Sequence, residues 1–343
     1  MPEDLLQNPA LTADTRSRLY CTSHSAMATE YSLYLCANSR EDADAIGQHV
    51  FDEVDRVEEL LSNYRESSEL CRINREAAVS EVTTDPETFH FLETCLAWSE
   101  KSSGAFDITV GRLMKAWGFF GAKGAIPFEE KLAETRAQVG WQNVRLDAAR
   151  RTVRFQSSGI ELDPGGVGKG YAVDRAVKIL RQRQVPAALL SAGSSTIYAL
   201  GAPPGETGWK IQVPSVDKRE NTISTVILRD SSLSTANRSE KNFTHNGHFY
   251  GAIMDPRTLA PAEGVLQVTV ISPSATESDI LSNALFILNP HDRASFMDEL
   301  PQAAALVISE NQPSPDYVAI RWPAAIDSAL RAGPETAKGE QEL

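Results

Sequence analysis

The chain has few cysteines and no apolar stretch long enough to cross a membrane. Its four cysteines, at positions 21, 36, 71 and 95, show no C-x-x-C spacing. Buried reduced thiols are therefore favoured over disulfides or a metal cluster. No run approaches the roughly 18 apolar residues that a transmembrane helix needs. The opening residues, MPEDL, lack the basic and apolar regions of a signal peptide, so a cytoplasmic location is expected for the chain as written.

Positive charge is also in deficit. The chain carries 33 Lys and Arg residues against 46 Asp and Glu residues, a net charge of −13, and its basic residues form no large cluster. Nucleic acids and anionic membranes attract proteins through basic surfaces, so neither is an expected partner. With 42% hydrophobic and 23% charged residues among 343, the composition is that of a globular chain rather than a disordered or fibrous one.

Helical and strand patterns mix without a regular βαβ order, which favours an α+β fold. Residues 1–25 are polar and aperiodic and predict a flexible arm, whereas 331–343 are rich in Gly, Pro, Glu and Lys and predict a disordered tail. Residues 26–330 are then one domain. Apolar residues at helical spacing predict a helix over 40–61. Other helices are predicted at 86–102, 127–138, 277–288 and 291–299 and after the glycines at 165–170, and strands at 30–35, 143–146, 152–156, 187–190, 197–200, 209–213, 223–228, 249–254 and 267–272.

The strongest local motif is the glycine-rich stretch DPGGVGKGYAVD at 163–174. A predicted strand ends in Asp163, and the glycines that follow let the backbone approach a ligand where a helix begins. Such helix N-termini bind phosphate groups through their N–H groups, and Lys169 adds a positive charge. The stretch is not a Walker A loop, because Lys169 is followed by glycine, and it is not a G-x-G-x-x-G fingerprint. The alternative is a strand-to-helix turn that needs glycine only for close packing.

Asp279 and Asn283 lie four residues apart on a predicted helix, which places both side chains on one face. A carboxylate and an amide oxygen suit a hard cation such as Mg²⁺, which keeps water and phosphate oxygens as its other ligands. Taken alone, the pair is more typical of an ordinary polar helix surface.

Aromatic side chains near two glycine-flanked segments are candidates for stacking on a planar ring. These are Tyr64 and the segments GAFDITVG at 104–111 and WGF at 117–119. The alternative is that the aromatics belong to the core. The segment IMDPRT at 253–258 reads as a strand that runs into a β-turn.

Together and in this order, these segments resemble the FAD:protein FMN transferases, the ApbE family. The resemblance extends from Met27 to about Leu288, some three quarters of the chain. It rests on SNY at 62–64, SELCRIN at 68–74, AFDITVG at 105–111, WGF at 117–119, DPGGVGKGYAVD at 163–174, WKIQV at 209–213, DPRT at 255–258 and the helix at 279–288.

The resemblance implies a T-fold-like α+β architecture of mixed sheets with packed helices. It also implies a Mg²⁺-dependent transferase that moves the FMN half of FAD onto a Thr or Ser hydroxyl of a target flavoprotein and releases AMP. The matching positions imply a metal site formed by the Gly166 carbonyl, Asp279 and Asn283, with Tyr64 stacking on a ring of FAD. The implied FAD site consists of Met27, Tyr64, Ala105, Phe106, Asp107, Asp163, Lys169 and Ile253.

The sequence departs from the family pattern around this site. Ala252 stands where the family has the histidine that the resemblance implies is the catalytic base. His248 has the same strand parity, but four residues at about 3.3 Å each place it roughly 13 Å away. No catalytic residue is therefore assigned. The other departures are Ser194 and Ser195 in place of Gly-Asp, Asn237 in place of Gly after Thr235-Ala236, Leu259 in place of Gly after the DPRT block, and Asn283 in place of a metal-binding Thr.

The departures leave three functions open, with FMN transfer as the prediction. The alternatives are a catalytically impaired FAD-binding relative that acts as a carrier, sensor or partner subunit, and a Mg²⁺-dependent FAD pyrophosphatase. Ala252 argues against transfer, whereas retention of Asp163, Lys169 and Asp279 argues for FAD and metal binding. The chain contains no acceptor motif of the Asp-x-x-Ser/Thr-Gly-Ala-Ser/Thr kind, so the expected acceptor is a separate protein.

Overall fold

The computed structural model describes residues 18–121, 124–216, 222–312 and 314–326. The helices in these ranges are α1 (Arg40–Leu61), α2 (Glu69–Glu76), α3 (Pro86–Lys101), α4 (Gly111–Ala116), α5 (Glu129–Arg136), α6 (Gly168–Gln182), α7 (Ala275–Ile287) and α8 (Pro290–Asp298). The strands are β1 (Arg18–Ala26), β2 (Thr29–Ala37), β3 (Val82–Thr83), β4 (Val144–Asp147), β5 (Thr152–Phe155), β6 (Ala188–Ala192), β7 (Thr196–Leu200), β8 (Trp209–Pro214), β9 (Thr222–Leu228), β10 (Ser231–Asn237), β11 (Asn242–His245), β12 (His248–Gly251), β13 (Met254–Asp255), β14 (Ala260–Pro261), β15 (Val265–Ser272), β16 (Ala304–Ser309) and β17 (Asp316–Ile320).

An eight-stranded sheet organises the fold, in the order β1-β2-β6-β7-β10-β15-β16-β17. Every neighbouring pair is antiparallel. Strands β7, β15 and β16 are buried along almost their whole length. A strand buried in this way needs cover on both faces, because successive side chains point to opposite sides of the sheet.

Helices cover one face of the sheet, and a two-stranded ribbon covers the other. On the first face, α1, α6 and α7 pack against the sheet and against each other. Helix α1 begins where the Ser39 side chain accepts a hydrogen bond from the Asp42 N–H at 3.1 Å. On the second face, the paired strands β8 and β9 bury Trp209, Ile211 and Val226 against the sheet. The functional site lies near the first face, because α6 and α7 carry it.

A smaller apolar cluster is separate from the two clusters that pack against the faces of the sheet. It contains Leu113, Trp117, Val139, Met254 and Leu259, which come from segments far apart in the sequence. The Trp117 indole N–H donates to the Leu259 carbonyl oxygen at 2.9 Å. This bond joins the segment after α4 to the segment between β13 and β14.

The prediction of a flexible arm through residue 25 is wrong from Arg18 onward. Residues 18–26 form β1, which pairs with β2 along its full length, from Arg18 opposite Ala37 to Ala26 opposite Thr29. As an edge strand β1 needs no continuous apolar pattern, and its exposed positions are polar, which is why the sequence looks aperiodic. Residues 1–17 of the predicted arm and the predicted tail at 331–343 lie outside the described residues.

The α+β class is confirmed, and so is the helix predicted over 40–61. The strand predicted at 249–254 is divided between β12 and β13. Helices α2 and α4 and strands β10, β16 and β17 were not predicted. The four cysteines are free thiols, as expected, but Cys21 is exposed rather than buried. Among the residues that the structure describes, no helix is both long and apolar enough to span a membrane.

Candidate active site

A cleft of about 440 Å³ opens beside the N-terminus of α6. Its walls come from the β1–β2 turn, the residues after α1, the glycine-rich segment, helix α7 and the segment before β13. All the residues proposed from the sequence for FAD or metal binding line this one cleft: Met27, Tyr64, Ala105, Phe106, Asp107, Asp163, Gly166, Lys169, Ile253, Asp279 and Asn283.

The glycines at 165–170 serve two different purposes. Asp163 accepts a hydrogen bond from the Gly165 N–H at 2.9 Å and so starts a short 3₁₀ helix, Pro164–Gly166. Gly165 and Gly166 line the cleft, and α6 begins just after them without a side-chain cap. A Cβ atom at Gly170, by contrast, would lie 2.2 Å from the Ala275 carbonyl oxygen. Close helix packing therefore explains Gly170, whereas Gly165 and Gly166 leave their backbone open to the cleft.

Asp279 is held rigidly where α7 passes α6. Its Oδ2 atom accepts from the Gly170 N–H and its Oδ1 atom from the Thr196 hydroxyl, both at 2.7 Å. The residue is only 6% exposed. Burial raises the pKa of its carboxyl group, and the positive charge of Lys169 partly offsets this rise. The result is a buried carboxylate in a fixed position, with a cation nearby.

Asn283 lies one turn after Asp279 and ties α7 to the glycine-rich segment. Its Nδ2 atom donates to the Gly166 carbonyl at 3.2 Å and to the Asp279 carbonyl at 2.9 Å. Both bonds use the amide nitrogen, so Oδ1 is the atom of Asn283 that can face a ligand. The three residues predicted to bind a metal are thus brought together by α7 and the loop before α6.

The oxygen chemistry of this group fits a hard cation with few charged protein ligands. The described residues contain no cluster of three or more His, Cys, Asp or Glu side chains that could hold a metal. Mg²⁺ commonly uses one or two carboxylates and fills its remaining positions with water and phosphate oxygens. The Gly166 carbonyl has a second lone pair besides the one that Asn283 occupies. Asp279, Asn283 and Gly166 can therefore hold Mg²⁺ beside a bound phosphate group.

Lys169 contacts two other side chains that line the cleft. Its Nζ atom donates to the Ser195 hydroxyl and lies 3.7 Å from a carboxylate oxygen of Glu240. Ser195 and Glu240 both line the cleft. Ser195 was noted from the sequence only as a departure from the family pattern, and Glu240 was not identified, because it belongs to none of the motifs.

Two further acidic side chains shape the walls of the cleft. Asp163 accepts from the Asn63 amide at 2.9 Å in addition to Gly165. Asp107 accepts from the N–H and hydroxyl of Thr109, at 2.8 and 2.7 Å, and from the Trp141 N–H at 2.9 Å. Burial raises the pKa of both carboxyl groups. Because their oxygens already accept these hydrogen bonds, both residues order the loops that surround a ligand.

The aromatic residues divide between the cleft and the core. Tyr64 is 67% exposed and stacks on Phe120, with ring centroids 5.3 Å apart and an interplanar angle of 27°. Phe119 and Phe120 also line the cleft. Trp117 is buried in the smaller apolar cluster, so the core interpretation holds for it. Tyr64 and its neighbours offer an exposed aromatic surface to a planar ring.

The departures from the family pattern are not all at the cleft. Ala252, Ser195, Asn237 and Asn283 line it, whereas Ser194 and Leu259 do not. Leu259 is buried in the smaller apolar cluster and has a φ of 63°, an unusual value for a leucine. None of the chain's six histidines lines the cleft, and His248 instead pairs with Glu263 at 3.0 Å.

One residue whose role was not predicted from the sequence, Asp174, supports the helix that carries Asp279. Asp174, the last residue of the glycine-rich motif, accepts from the Ser274 hydroxyl at 2.6 Å and from the Ala275 and Thr276 N–H groups at 2.8 and 2.9 Å. It thereby holds the N-terminus of α7, the helix that carries Asp279. The position of Asp174 at the end of the motif is the sequence signal that could have identified this role.

Comparisons with known proteins agree with the geometry. A sequence model of the ApbE family matches residues 27–307. An FAD:protein FMN transferase of Klebsiella pneumoniae is 30% identical over 303 residues, which cover 86% of this chain and 91% of that protein. One of Treponema pallidum is 29% identical over 276 residues, 76% of each chain. A crystal structure of the ApbE protein from Thermotoga maritima matches with a TM-score of 0.79 at 29% identity and covers 89% of this chain and 97% of that one.

Proposed function

This chain belongs to the ApbE family, and we propose that it transfers FMN from FAD to a Ser or Thr hydroxyl of another protein. The hydroxyl oxygen forms a bond to the phosphorus of the FMN half, the bond to the bridging pyrophosphate oxygen breaks, and AMP leaves. One observation carries this proposal: a single cleft joins an exposed aromatic surface to a glycine-rich helix N-terminus and a buried carboxylate.

Each part of the cleft suits one part of FAD. A volume of about 440 Å³ lies within the usual range for small-molecule sites. Tyr64 offers a face for stacking on a flavin or adenine ring. The N-terminus of α6 favours negative charge, and Gly165 and Gly166 let the backbone approach the pyrophosphate. Lys169 adds a positive charge beside it.

Mg²⁺ would be held by Asp279, the Gly166 carbonyl and the Oδ1 atom of Asn283. Bound there, it supplies positive charge to the pyrophosphate oxygens as negative charge develops in phosphoryl transfer. The support is the convergence of three oxygen-bearing groups from α7 and the loop before α6. Thr196 and the Gly170 N–H fix the carboxylate in place, so little reorganisation is needed during the reaction.

The chain's own residues contribute mainly position and charge. In phosphoryl transfer the protein mainly aligns the acceptor oxygen and neutralises the charge of the pyrophosphate. It takes little part in covalent chemistry. Lys169 provides a fixed cation, and the loops ordered by Asp107 and Asp163 hold the walls of the cleft. The acceptor is a separate flavoprotein that presents a Ser/Thr flavinylation motif, because this chain lacks such a motif.

The test is to incubate the purified chain with FAD, MgCl₂ and a domain that carries the family's acceptor motif. Intact mass analysis of the acceptor and chromatography of the nucleotides are followed together, with Asp279→Asn as the matched control. An FMN adduct with equimolar AMP supports the proposal. FMN and AMP without an adduct indicate a pyrophosphatase, in which water replaces the acceptor hydroxyl. FAD that binds but stays intact indicates a flavin-binding relative, and failure to bind FAD overturns the site itself.

A further inference from the structure

The position that the family resemblance assigns to a catalytic histidine is Ala252, a side chain that cannot accept a proton. No histidine lines the cleft, so the acceptor hydroxyl must lose its proton to another group. A positioned base contributes about 10²- to 10⁴-fold in rate, so efficient transfer requires another group to take over this role. The identity of that group matters only if the chain has the proposed transfer activity, on which this inference rests.

Glu240 lies in the bend just before β11, next to the residue that pairs with Ala252. The Ala252 N–H donates to the Lys241 carbonyl at 2.9 Å, and the next pair along the hairpin joins Asn242 to Gly251. Glu240 therefore precedes Lys241, the partner of Ala252, by one residue. Both Glu240 and Ala252 line the cleft. The segment that leads into β11 thus brings a carboxylate into the same cleft as the position where the family has an imidazole.

The loop that carries Glu240 is ordered by another departure from the family pattern. Asn237 stands where the family has glycine, and its Oδ1 atom accepts from the N–H and the hydroxyl of Ser239, at 2.8 and 2.7 Å. The Glu240 N–H then donates to the Asn237 carbonyl at 3.3 Å. This side-chain turn, which glycine cannot form, sets the direction in which the chain leaves β10. Two departures therefore bond to the segment that carries Glu240: Asn237 bonds to Glu240 itself, and Ala252 bonds to the next residue, Lys241.

The other carboxylates that line the cleft are already engaged. Glu58 pairs with Arg65 at 2.8 Å. Asp107, Asp163 and Asp279 each accept at least two hydrogen bonds from the protein, as described above. The Glu240 side chain is 54% exposed and has one long contact, 3.7 Å, with the Lys169 ammonium. Among the cleft carboxylates that the structure describes, Glu240 is the one best able to approach an incoming hydroxyl group.

We propose that Glu240 is the general base of the transfer reaction. A carboxylate oxygen of Glu240 takes the proton of the acceptor Ser or Thr as its oxygen bonds to the FMN phosphorus, and AMP leaves with the electron pair of the broken P–O bond. The protonated Glu240 then releases its proton to water. Arg65, Lys169 and Lys241 are the cationic side chains that line the cleft with it, and Lys169, 3.7 Å away, is the one in contact with its carboxylate.

The direct test is Glu240→Gln, with Glu263→Gln as the matched control. Glu263 is an exposed glutamate that pairs with His248 outside the cleft. For Glu240→Gln we expect kcat to fall by about 100-fold or more, while the Kd for FAD measured by flavin fluorescence changes little. Glu263→Gln should match the wild type in both measurements. Glu240→Asp keeps a carboxylate and should retain more activity than Glu240→Gln.

A rescue experiment separates a base from a structural role. Ala252→His in the Glu240→Gln background places an imidazole at the family's position, and transfer should return with an acid limb of the pH–kcat profile near pH 6.5, the ordinary pKa of histidine. An unchanged kcat and pH profile in Glu240→Gln overturns the proposal, and so does equal loss of FAD binding. A wild-type chain that yields no FMN adduct instead overturns the proposed function, and with it this role of Glu240.

Discussion

Replacing Asp279 by Asn should remove the metal site and leave the fold intact. The carboxylate accepts from the Gly170 N–H and the Thr196 hydroxyl, both at 2.7 Å. An asparagine of the same shape can keep both bonds, because its oxygen accepts from Gly170 and its NH₂ group donates to the Thr196 oxygen, which accepts as well as donates. The substitution therefore removes one buried negative charge and little else.

Without Mg²⁺, the Asn variant should be at least as stable as the wild type at neutral pH. Burial raises the pKa of Asp279, so the folded chain binds this proton more tightly than the unfolded chain. The contribution of the carboxyl group to the free energy of unfolding is then present at acid pH and is lost as pH rises through the folded pKa. Asparagine does not ionise, so it avoids that loss.

Asp279→Ala provides the contrast. Alanine leaves the Gly170 N–H and the Thr196 hydroxyl without their partner, and each unsatisfied buried group costs about 1–3 kcal/mol. The two together cost about 2–6 kcal/mol, which corresponds to a fall in Tm of about 3–10 °C for a domain of about 300 residues. Both variants lose the charged metal ligand, but only the Ala variant loses the hydrogen bonds.

Calorimetry in EDTA at pH 7 and MgCl₂ titrations of transfer activity measure the two effects separately. We expect both variants to lose Mg²⁺-dependent turnover and only the Ala variant to unfold at a lower temperature. Unaltered Mg²⁺ dependence in the Asn variant would refute the assignment of Asp279 as a ligand. An Asn variant that unfolds as early as the Ala variant would refute the hydrogen-bond argument.

Three further substitutions test the cleft and its support. Tyr64→Ala should weaken FAD binding by about 1–3 kcal/mol, the usual worth of a stacking aromatic, in a flavin fluorescence titration, whereas Phe128→Ala, at a still more exposed aromatic outside the cleft, should not change it. Gly170→Ala forces a Cβ atom to within 2.2 Å of a backbone oxygen and should lower thermal stability by about 1–3 kcal/mol; no change in Tm would contradict the close packing of α6 and α7. Asp174→Ala leaves the N-cap Ser274 in place but removes the carboxylate that accepts from the Ala275 and Thr276 N–H groups of α7; it should cost about 2 kcal/mol in urea unfolding, and an unaltered midpoint would exclude that role.

Sequence alone determined much of the local structure and the list of residues around the cleft. The spacing of apolar residues such as Val50, Val54 and Val57 predicts α1, because a helix repeats every 3.6 residues and the pattern lies within one segment. The order of the motifs carries the resemblance to the ApbE family, that resemblance implied the FAD and metal residues, and every one of them lines a single cleft. Their individual roles stay predictions until the variants are measured.

Only the tertiary structure decided how these segments meet. The bonds that position Asp279 join residues 109 and 83 apart in the sequence, and the Trp117–Leu259 bond spans 142 residues. Edge strand β1 is recognisable only from its pairing with β2, because its own polar pattern resembles a loose segment. Glu240 belongs to no motif. It becomes a candidate base only because the fold brings it into the same cleft as Ala252. Apolar periodicity is a local property of a segment, whereas contacts of this kind depend on the register of the sheet and on where the helices cross it.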